Sequence, residues 1–587
     1  MKKIINRPED LVTQMCHGIV MAHPYLLLDA NNKVIYRRDD GGGRVKLISG
    51  GGSGHEPAHA GFVGSGMLDA AVCGDVFASP SQIQVYKAIR NIEASAGVLL
   101  IIKNYSGDVM NFMNAAHLAK EDGILVDYVV VDDDIAVKDS LYTVGRRGVA
   151  GTVFVHKIAG AAAQSGKSLQ EVKAVAEKAI KNVKSIGLAL TSCTVPAKGA
   201  PMFELGDSEM EYGVGIHGEP GIVRSQISDA DSLAKKMVGS LCEELGLESA
   251  KGKERVAVLI NGFGATPLME LYLLNASVAR ELSGRGVRIA RTFVGNFMTS
   301  IDMAGASISI LKLDDELEAL LNAQSETPAF TVNGGVEETE FYEPYAASAS
   351  TESEDGEITP LEAYSVIDKR LTLENIKYIV DTMGVSVIRN ESLFCELDSY
   401  AGDGDFGMSV AKGFRRLRLE WPGILERAAD IGSFLQECAM IIMEYCGGAS
   451  GPIWGSAFRA AGKSAAGKAS LSVSDFADLL GDAVVGIKQI GERSFGRGAV
   501  IGDKTLIDAL EPCADAWTVY AREGGTDFIE AFRLGAEAAV EGAERTKDIV
   551  ARMGRAGNVG ERSLGYPDAG AHALGVIFSD IAHSLKR

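Results

Sequence analysis

The chain is poor in several features that would narrow its role at once. Its eight cysteines (Cys16, Cys73, Cys193, Cys242, Cys395, Cys438, Cys446, Cys513) are scattered, with no C-x-x-C pair and no tight Cys/His cluster. That argues against a structural zinc site and against a secreted disulfide scaffold. Apolar runs such as Val98–Ile102 are strand-sized rather than membrane-sized. The opening residues Met1–Arg7 lack the apolar core of a signal peptide. Positive charge is short as well: 58 Lys+Arg face 78 Asp+Glu, a net charge of −20. Backbone binding to nucleic acid, or to an anionic membrane, needs clustered cations that this balance does not favour. A cytoplasmic protein with a small or metal-borne partner is the expectation.

Proline is scarce too, at 15, while glycine reaches 68 without a collagen-like period. Such glycines belong in turns, close backbone approaches and ligand-cradling loops. At roughly 100–200 residues per domain, 587 residues suggest about three to five domains or subdomains. The stretch 336–360, VEETEFYEPYAASASTESEDGEITP, holds eight acids and no Lys or Arg, and is read as an acidic linker that cannot fold alone. Before it, apolar runs (Val45–Ser49, Gly97–Lys103, Leu125–Val131, Gly187–Cys193, Arg255–Ile260, Ser307–Leu311) alternate with helical patterns such as Asp108–Lys120 and Ser168–Lys184, the texture of an α/β half. From about Leu361 the chain turns Ala-rich with helical periodicity over Ile424–Cys446, Val473–Ile490 and Asp527–Met553, predicting an all-α half.

Some familiar motifs are imitations. Gly166-Lys167-Ser168 and Gly462-Lys463-Ser464 end like phosphate-binding loops, but the leading glycine position is Ala161 or Ala457. Gly213 to Gly218 matches G-x-G-x-x-G, yet Glu219-Pro220-Gly221 follows where a dinucleotide fold needs a helix.

Six segments could carry chemistry. Gly50-Gly51-Gly52-Ser53-Gly54-His55 follows a buried strand, where backbone N–H groups can approach a ligand and His55 can project into it. Lys103-Asn104-Tyr105-Ser106-Gly107-Asp108 ends another strand; Asp108 reads either as a helix N-cap or, beside His55, as half of an acid/base pair. His217 stands between Gly215 and Gly218, open enough for a nucleophile, with a turn histidine as the alternative. Asp398, Asp403 and Asp405 repel one another unless a divalent cation intervenes, which suggests magnesium and a nucleotide; a solvated acidic loop is the alternative. Finally, the Gly447–Pro452 loop opens a helix whose N–H groups suit a phosphate, and the Gly/Arg-rich loop 554–570 could cover a nucleotide.

In this order the segments resemble the dihydroxyacetone kinase family in its single-chain, ATP-dependent form. The resemblance runs through GGGSGHEPAHAGFVGSGMLDAAVCGDVF, LLIIKNYSGD, VDDDIAVKDSLYTVGRRGVAGTVF, CTVP and YGVGIHGEPG, then GDGDFG, GGASGP, GDKTLIDAL and GERSLGYPDAGA. It implies a ketose-binding α/β half over 1–335 (subdomains of about 1–190 and 191–335), the linker 336–360, and an all-helical barrel over 361–587 that binds ATP. By match of position, His217 would bond covalently to the substrate carbonyl as a hemiaminal, and His55 and Asp108 would serve as acid/base residues. Gly52, Ser53, Gly54 and Lys103 would also touch substrate. Asp398, Asp403 and Asp405 would hold two Mg2+ ions with ATP. The nucleotide would be lined by Phe406, Gly407, Met408, Ser409, Ala449, Ser450, Gly491, Leu506, Arg562, Asp568, Ala569 and Gly570. Phe406 and Ala569 depart from the residues common at those places, and both sit on the nucleotide side. The expected reaction is phosphorylation of dihydroxyacetone, with another short ketose or aldose (erythrulose, glyceraldehyde), an FAD-cyclising lyase activity or a regulatory binding role as alternatives. A homodimer is the expected assembly.

Overall fold

The structure is a computed structural model of the chain and describes residues 2–39, 42–92, 94–137, 145–247, 252–337, 360–553, 557 and 560–587. Nearly all of the expected linker therefore lies outside the described residues, as does part of the 554–570 loop. The chain divides into two compact units, Met1–Ala346 and Ala347–Arg587.

The first unit is α/β, as expected, and is built on two six-stranded sheets. The first joins β1 (Leu26–Asp29), β2 (Val34–Arg37), β3 (Lys46–Ser53), β4 (Ala70–Val76), β5 (Val98–Lys103) and β6 (Val126–Val131) in the order β1-β2-β4-β3-β5-β6. The strands β4, β3, β5 and β6 run parallel. Every residue of β3 and β5 is buried, which suits central parallel strands covered on both faces. Helices α1 (Leu11–Ala22), α2 (Gln82–Asn91), α3 (Ser106–Glu121), α4 (Thr152–Gln164) and α5 (Leu169–Asn182) accompany it.

The second sheet joins β7 (Val183–Ala189), β8 (Glu209–Tyr212), β9 (Val223–Gln226), β10 (Arg255–Gly262), β11 (Arg288–Gly295) and β12 (Gly305–Leu313) in the order β11-β10-β12-β7-β8-β9. Only β10 and β11 pair parallel. Helices α6 (Ala230–Leu245), α7 (Leu268–Gly284) and α8 (Asp315–Asn322) belong to it. The strand expected at Gly187–Cys193 begins four residues earlier, because α5 stops at Asn182 and the chain enters the sheet directly.

Two imitations resolve as ordinary structure. Ser168 is the N-cap of α5, accepting the Glu171 N–H in a capping box, and after Gly213–Gly218 the chain forms β9 rather than a helix.

The second unit is helical: α9 (Leu373–Arg389), α10 (Glu391–Ser399), α11 (Phe406–Leu419), α12 (Trp421–Arg427), α13 (Ile431–Tyr445), α14 (Ser450–Ser464), α15 (Val473–Phe495), α16 (Ile507–Arg522), α17 (Phe528–Arg545) and α18 (Ala569–Ser584). The pattern over Ile424–Cys446 is not one helix. Asp430 accepts the Ser433 N–H at 2.7 Å and starts α13 afresh, so the period continues across a break that a cap imposes.

Candidate functional site

In the first unit the carboxyl ends of β3 and β5 carry the chemistry. Lys103 closes β5, and α3 begins at Ser106, which puts Asp108 in its first turn. Asp108 is not the N-cap; that position is Tyr105. Its carboxylate instead meets the Lys103 ammonium at 3.3 Å, with side-chain exposures of 4% and 0%. Removing either partner of such a buried pair costs about 3–5 kcal/mol, because the survivor keeps an uncompensated charge. Gly51 makes room for the pair: a Cβ there would lie 2.8 Å from Lys103 Nζ and 3.2 Å from Asp108 Oδ2.

His55 is fully buried. Its Nδ1–H donates to the Thr299 carbonyl at 2.9 Å, and its ring stacks on Phe77 with centroids 5.2 Å apart. That bond leaves a lone pair on Nε2, which lies 3.1 Å from His217 Nε2. His217 Nε2–H is then the donor, and the ring's lone pair is on Nδ1, which is buried without a partner among the described residues. The His217 ring also meets Tyr105 (centroids 4.3 Å) and Phe77 (5.2 Å). Tyr105 in turn lies 5.4 Å from Lys103 Nζ, so one cluster contains His55, Lys103, Asp108 and His217. His217 is thus half-buried, with aromatic rings against it. Burial, with Lys103 nearby, holds His55 down at about 3, and burial, His55 and Lys103 hold His217 well below the usual imidazole range. Both rings are neutral at physiological pH.

The loop carrying His217 is fixed by groups that sequence reading missed. Glu219 accepts the His217 backbone N–H at 2.7 Å. Arg147, itself buried, donates to Glu219 at 3.2 Å, to Asp134 at 2.7 Å and to the Gly213 carbonyl at 2.8 Å. A Cβ at Gly215 would lie 1.8 Å from Glu219 Oε1, so the bare residue lets this carboxylate in. The run Gly145-Arg146-Arg147-Gly148 was the available signal, but an arginine's partners 66 and 72 residues away are not legible locally. The remaining expected contacts are placed as follows. Ser53 donates its hydroxyl to the Gly74 carbonyl at 2.7 Å, the Gly54 N–H donates to Glu56, and a Cβ at Gly52 would lie 2.7 Å from Ala78 N. A second imidazole pair, His59 and His156 (2.9 Å), is buried nearby, with Ser49 3.4 Å from His59.

In the second unit Asp398 lies in the last turn of α10, and Asp403 and Asp405 precede α11. One carboxylate oxygen from each lies within 4.8 Å of the others. Asp398 accepts the Gly404 N–H at 2.9 Å, which curls the loop back on itself. Three hard oxygen donors this close fit a hard divalent cation such as magnesium. They open onto a cavity of about 460 Å³ lined also by Phe406, Ala449, Ser450, Gly491, Leu506, Asp568, Ala569 and Gly570. Gly407, Met408, Ser409 and Arg562 do not line it: Ser409 donates to the Gly447 carbonyl at 2.7 Å, and Arg562 is exposed. Asp568 caps α18 through the Ala571 N–H, and burial, with Asp508 and Asp398 nearby, pushes its carboxyl up to about 7. No described helix is long and apolar enough to cross a membrane.

Comparison with known proteins covers both units. Residues 17–329 match the Dak1 domain and residues 400–583 the DAK2 domain. The dihydroxyacetone-binding subunit DhaK of a PTS-dependent dihydroxyacetone kinase from Listeria innocua is 55% identical over 317 residues, 54% of this chain and 95% of that protein. An L-erythrulose 1-kinase from Mycolicibacterium smegmatis is 35% identical over 591 residues, spanning 100% of both chains. The crystal structure of the dihydroxyacetone kinase from C. freundii in complex with AMP-PNP and Mg2+ is 30% identical, covers 99% of each chain and superposes with a TM-score of 0.58.

Proposed function

Because the chain belongs to the dihydroxyacetone kinase family, with a Dak1 and a DAK2 domain in one polypeptide, we propose that it phosphorylates dihydroxyacetone with ATP while holding the ketose covalently on His217. The observation that carries this reading is the neutral His217 ring set against the His55 lone pair at 3.1 Å. His217 Nε2 gives its proton to His55 Nε2, and the freed lone pair adds to the ketose carbonyl carbon. The carbonyl π bond opens and the proton passes from His55 to the new hydroxyl. One N–H and one C=O π bond are lost, one N–C and one O–H bond are made, and His55 returns to its neutral form.

A bond to a carbonyl carbon selects ketones and aldehydes over glycerol, which offers the same hydroxyls without an electrophile. It also fixes the substrate's terminal hydroxyl for attack. His55 Nε2 then accepts the hydroxyl proton, because its Nδ1–H is committed to Thr299. The Lys103–Asp108 ion pair holds a fixed dipole beside the reacting atoms. In the second unit Asp398, Asp403 and Asp405 would hold two magnesium ions, which supply the charge neutralisation that phosphoryl transfer needs. The cavity beside them would take the nucleotide, and the acidic stretch 336–360 would tether one unit at high effective concentration near the other.

A coupled assay of ADP release with dihydroxyacetone, erythrulose and glyceraldehyde tests the reading. Turnover should be highest with dihydroxyacetone; the L-erythrulose 1-kinase relative over the full length keeps the four-carbon ketose as the second substrate to test. No turnover with any short ketose would contradict the proposal.

A further inference from the structure

The cavity beside the aspartate cluster has an unbalanced lining. Four carboxylates, Asp398, Asp403, Asp405 and Asp568, face one cationic side chain among the described lining residues, Lys504. Lys504 is 2% exposed. Its backbone sits in the left-handed region at φ 63°, where a side-chain-bearing residue costs about 1–2 kcal/mol unless its surroundings hold it. They do hold it. Asp503 accepts the Val500 N–H at 3.0 Å and pairs with Arg497, while Asp508 accepts the N–H groups of Gly502 (2.6 Å) and Thr505 (2.7 Å). The loop before α16 is therefore pinned on both sides of Lys504.

The ammonium group donates to the carbonyls of Ser563 and Tyr566, the second at 2.8 Å. Those carbonyls belong to the loop leading to Asp568, Ala569 and Gly570. The same loop is held from the other side, where Tyr566 stacks on Tyr400 of the aspartate loop with centroids 3.7 Å apart and planes 10° from parallel. Two of the three ammonium N–H groups are thus used on described carbonyls, and Lys504 is itself a lining residue of the cavity.

We infer that Lys504 is a nucleotide-binding residue: it ties the 563–566 loop over the cavity and gives its remaining N–H to a phosphate oxygen of the nucleotide. The inference rests on the proposed kinase reading. A buried ammonium beside carboxylates destined for cations is the one fixed positive charge the protein itself contributes to the described lining, and a polyphosphate is the anion that fits it. Phe406, Trp454, Phe495 and Leu506 leave the rest of the cavity apolar enough for a base.

The test is calorimetric binding of ATP, ADP and adenosine, with magnesium, to the full chain and to Lys504→Met and Lys504→Gln. Glutamine keeps a donor for the loop carbonyls and guards against a variant that simply fails to fold. Both substitutions should weaken ATP at least about tenfold, the value of one charge-assisted hydrogen bond, and leave adenosine within about twofold. Unchanged ATP binding, or an equal loss for all three ligands, would overturn the inference while leaving the kinase reading in place. A wild-type chain that binds no ATP would overturn both.

Discussion

The two units solve the same electrostatic problem in opposite ways. In the first, buried charges of the site are paired within the protein: Lys103 has Asp108, and Arg147 has Asp134 and Glu219. His55 and His217 are kept neutral by burial. In the second, three aspartates gather on a loop whose donor set asks for a divalent cation from outside. The covalent ketose site proposed for the first unit needs a fixed, neutral nucleophile, whereas the phosphoryl-transfer site proposed for the second needs charge that arrives with its substrate. The first unit should therefore answer to pH and the second to metal and nucleotide.

The sharpest way to break this contrast is to remove one nucleophile or one ligand. His217→Ala should lower turnover by at least about a thousandfold, since an unanchored hydroxyl loses the advantage of intramolecular positioning. Magnesium-dependent nucleotide binding by the same variant should be unchanged, as measured by calorimetry. Asp403→Asn should show the reverse pattern, with turnover down by about a hundredfold or more and ketose capture on His217 retained by mass spectrometry. Loss of both properties in either variant would erase the division of labour.

A smaller effect is expected from Arg147→Met. Its guanidinium acts through Glu219 and the Gly213 carbonyl on the His217 loop, so kcat should fall by about ten- to a hundredfold. The metal dependence of the reaction should not move. Lys would not replace it, because three separate acceptors use the fork of the guanidinium.

A separate contrast lies in stability rather than turnover. His55 and His156 are held at about 3 and His59 and His217 well below the usual range, in each case first by burial. The unfolded chain takes up these protons near pH 6.5 and the folded chain refuses them. Stability of the first unit is therefore full above pH 6.5 and falls as pH drops toward 3, by up to about 1.4 kcal/mol per histidine per pH unit. In the second unit burial lowers His572. Urea denaturation followed by unit-specific proteolysis between pH 7 and 5 should find the first unit losing stability faster; parallel losses would remove the distinction.

Much of this was readable before any coordinates. The α/β-then-α organisation followed from strand-length apolar runs giving way to helical periodicity. The residues with unusual local chemistry, the glycines around His55 and His217 and the three spaced aspartates, stood out because their neighbours in sequence are also their setting. What could not be read depends on how the chain turns locally and on partners remote in sequence. Asp108 looked like an N-cap because its true partner, Lys103, is reached only when β5 and α3 turn back on each other. Thr299 orients His55 from 244 residues away, and Lys504 meets Ser563 and Tyr566 across 59 and 62 residues. The break at Asp430 was masked by a hydrophobic period that continues through the cap.

The account turns on His217 as the covalent anchor, and intact-mass spectrometry of the chain mixed with dihydroxyacetone addresses it most directly. An adduct of the whole ketose mass, without loss of water, located on the peptide containing His217 and absent from His217→Ala, is the predicted result. An unmodified chain that still turns over, or an adduct on a lysine with loss of water, would contradict it.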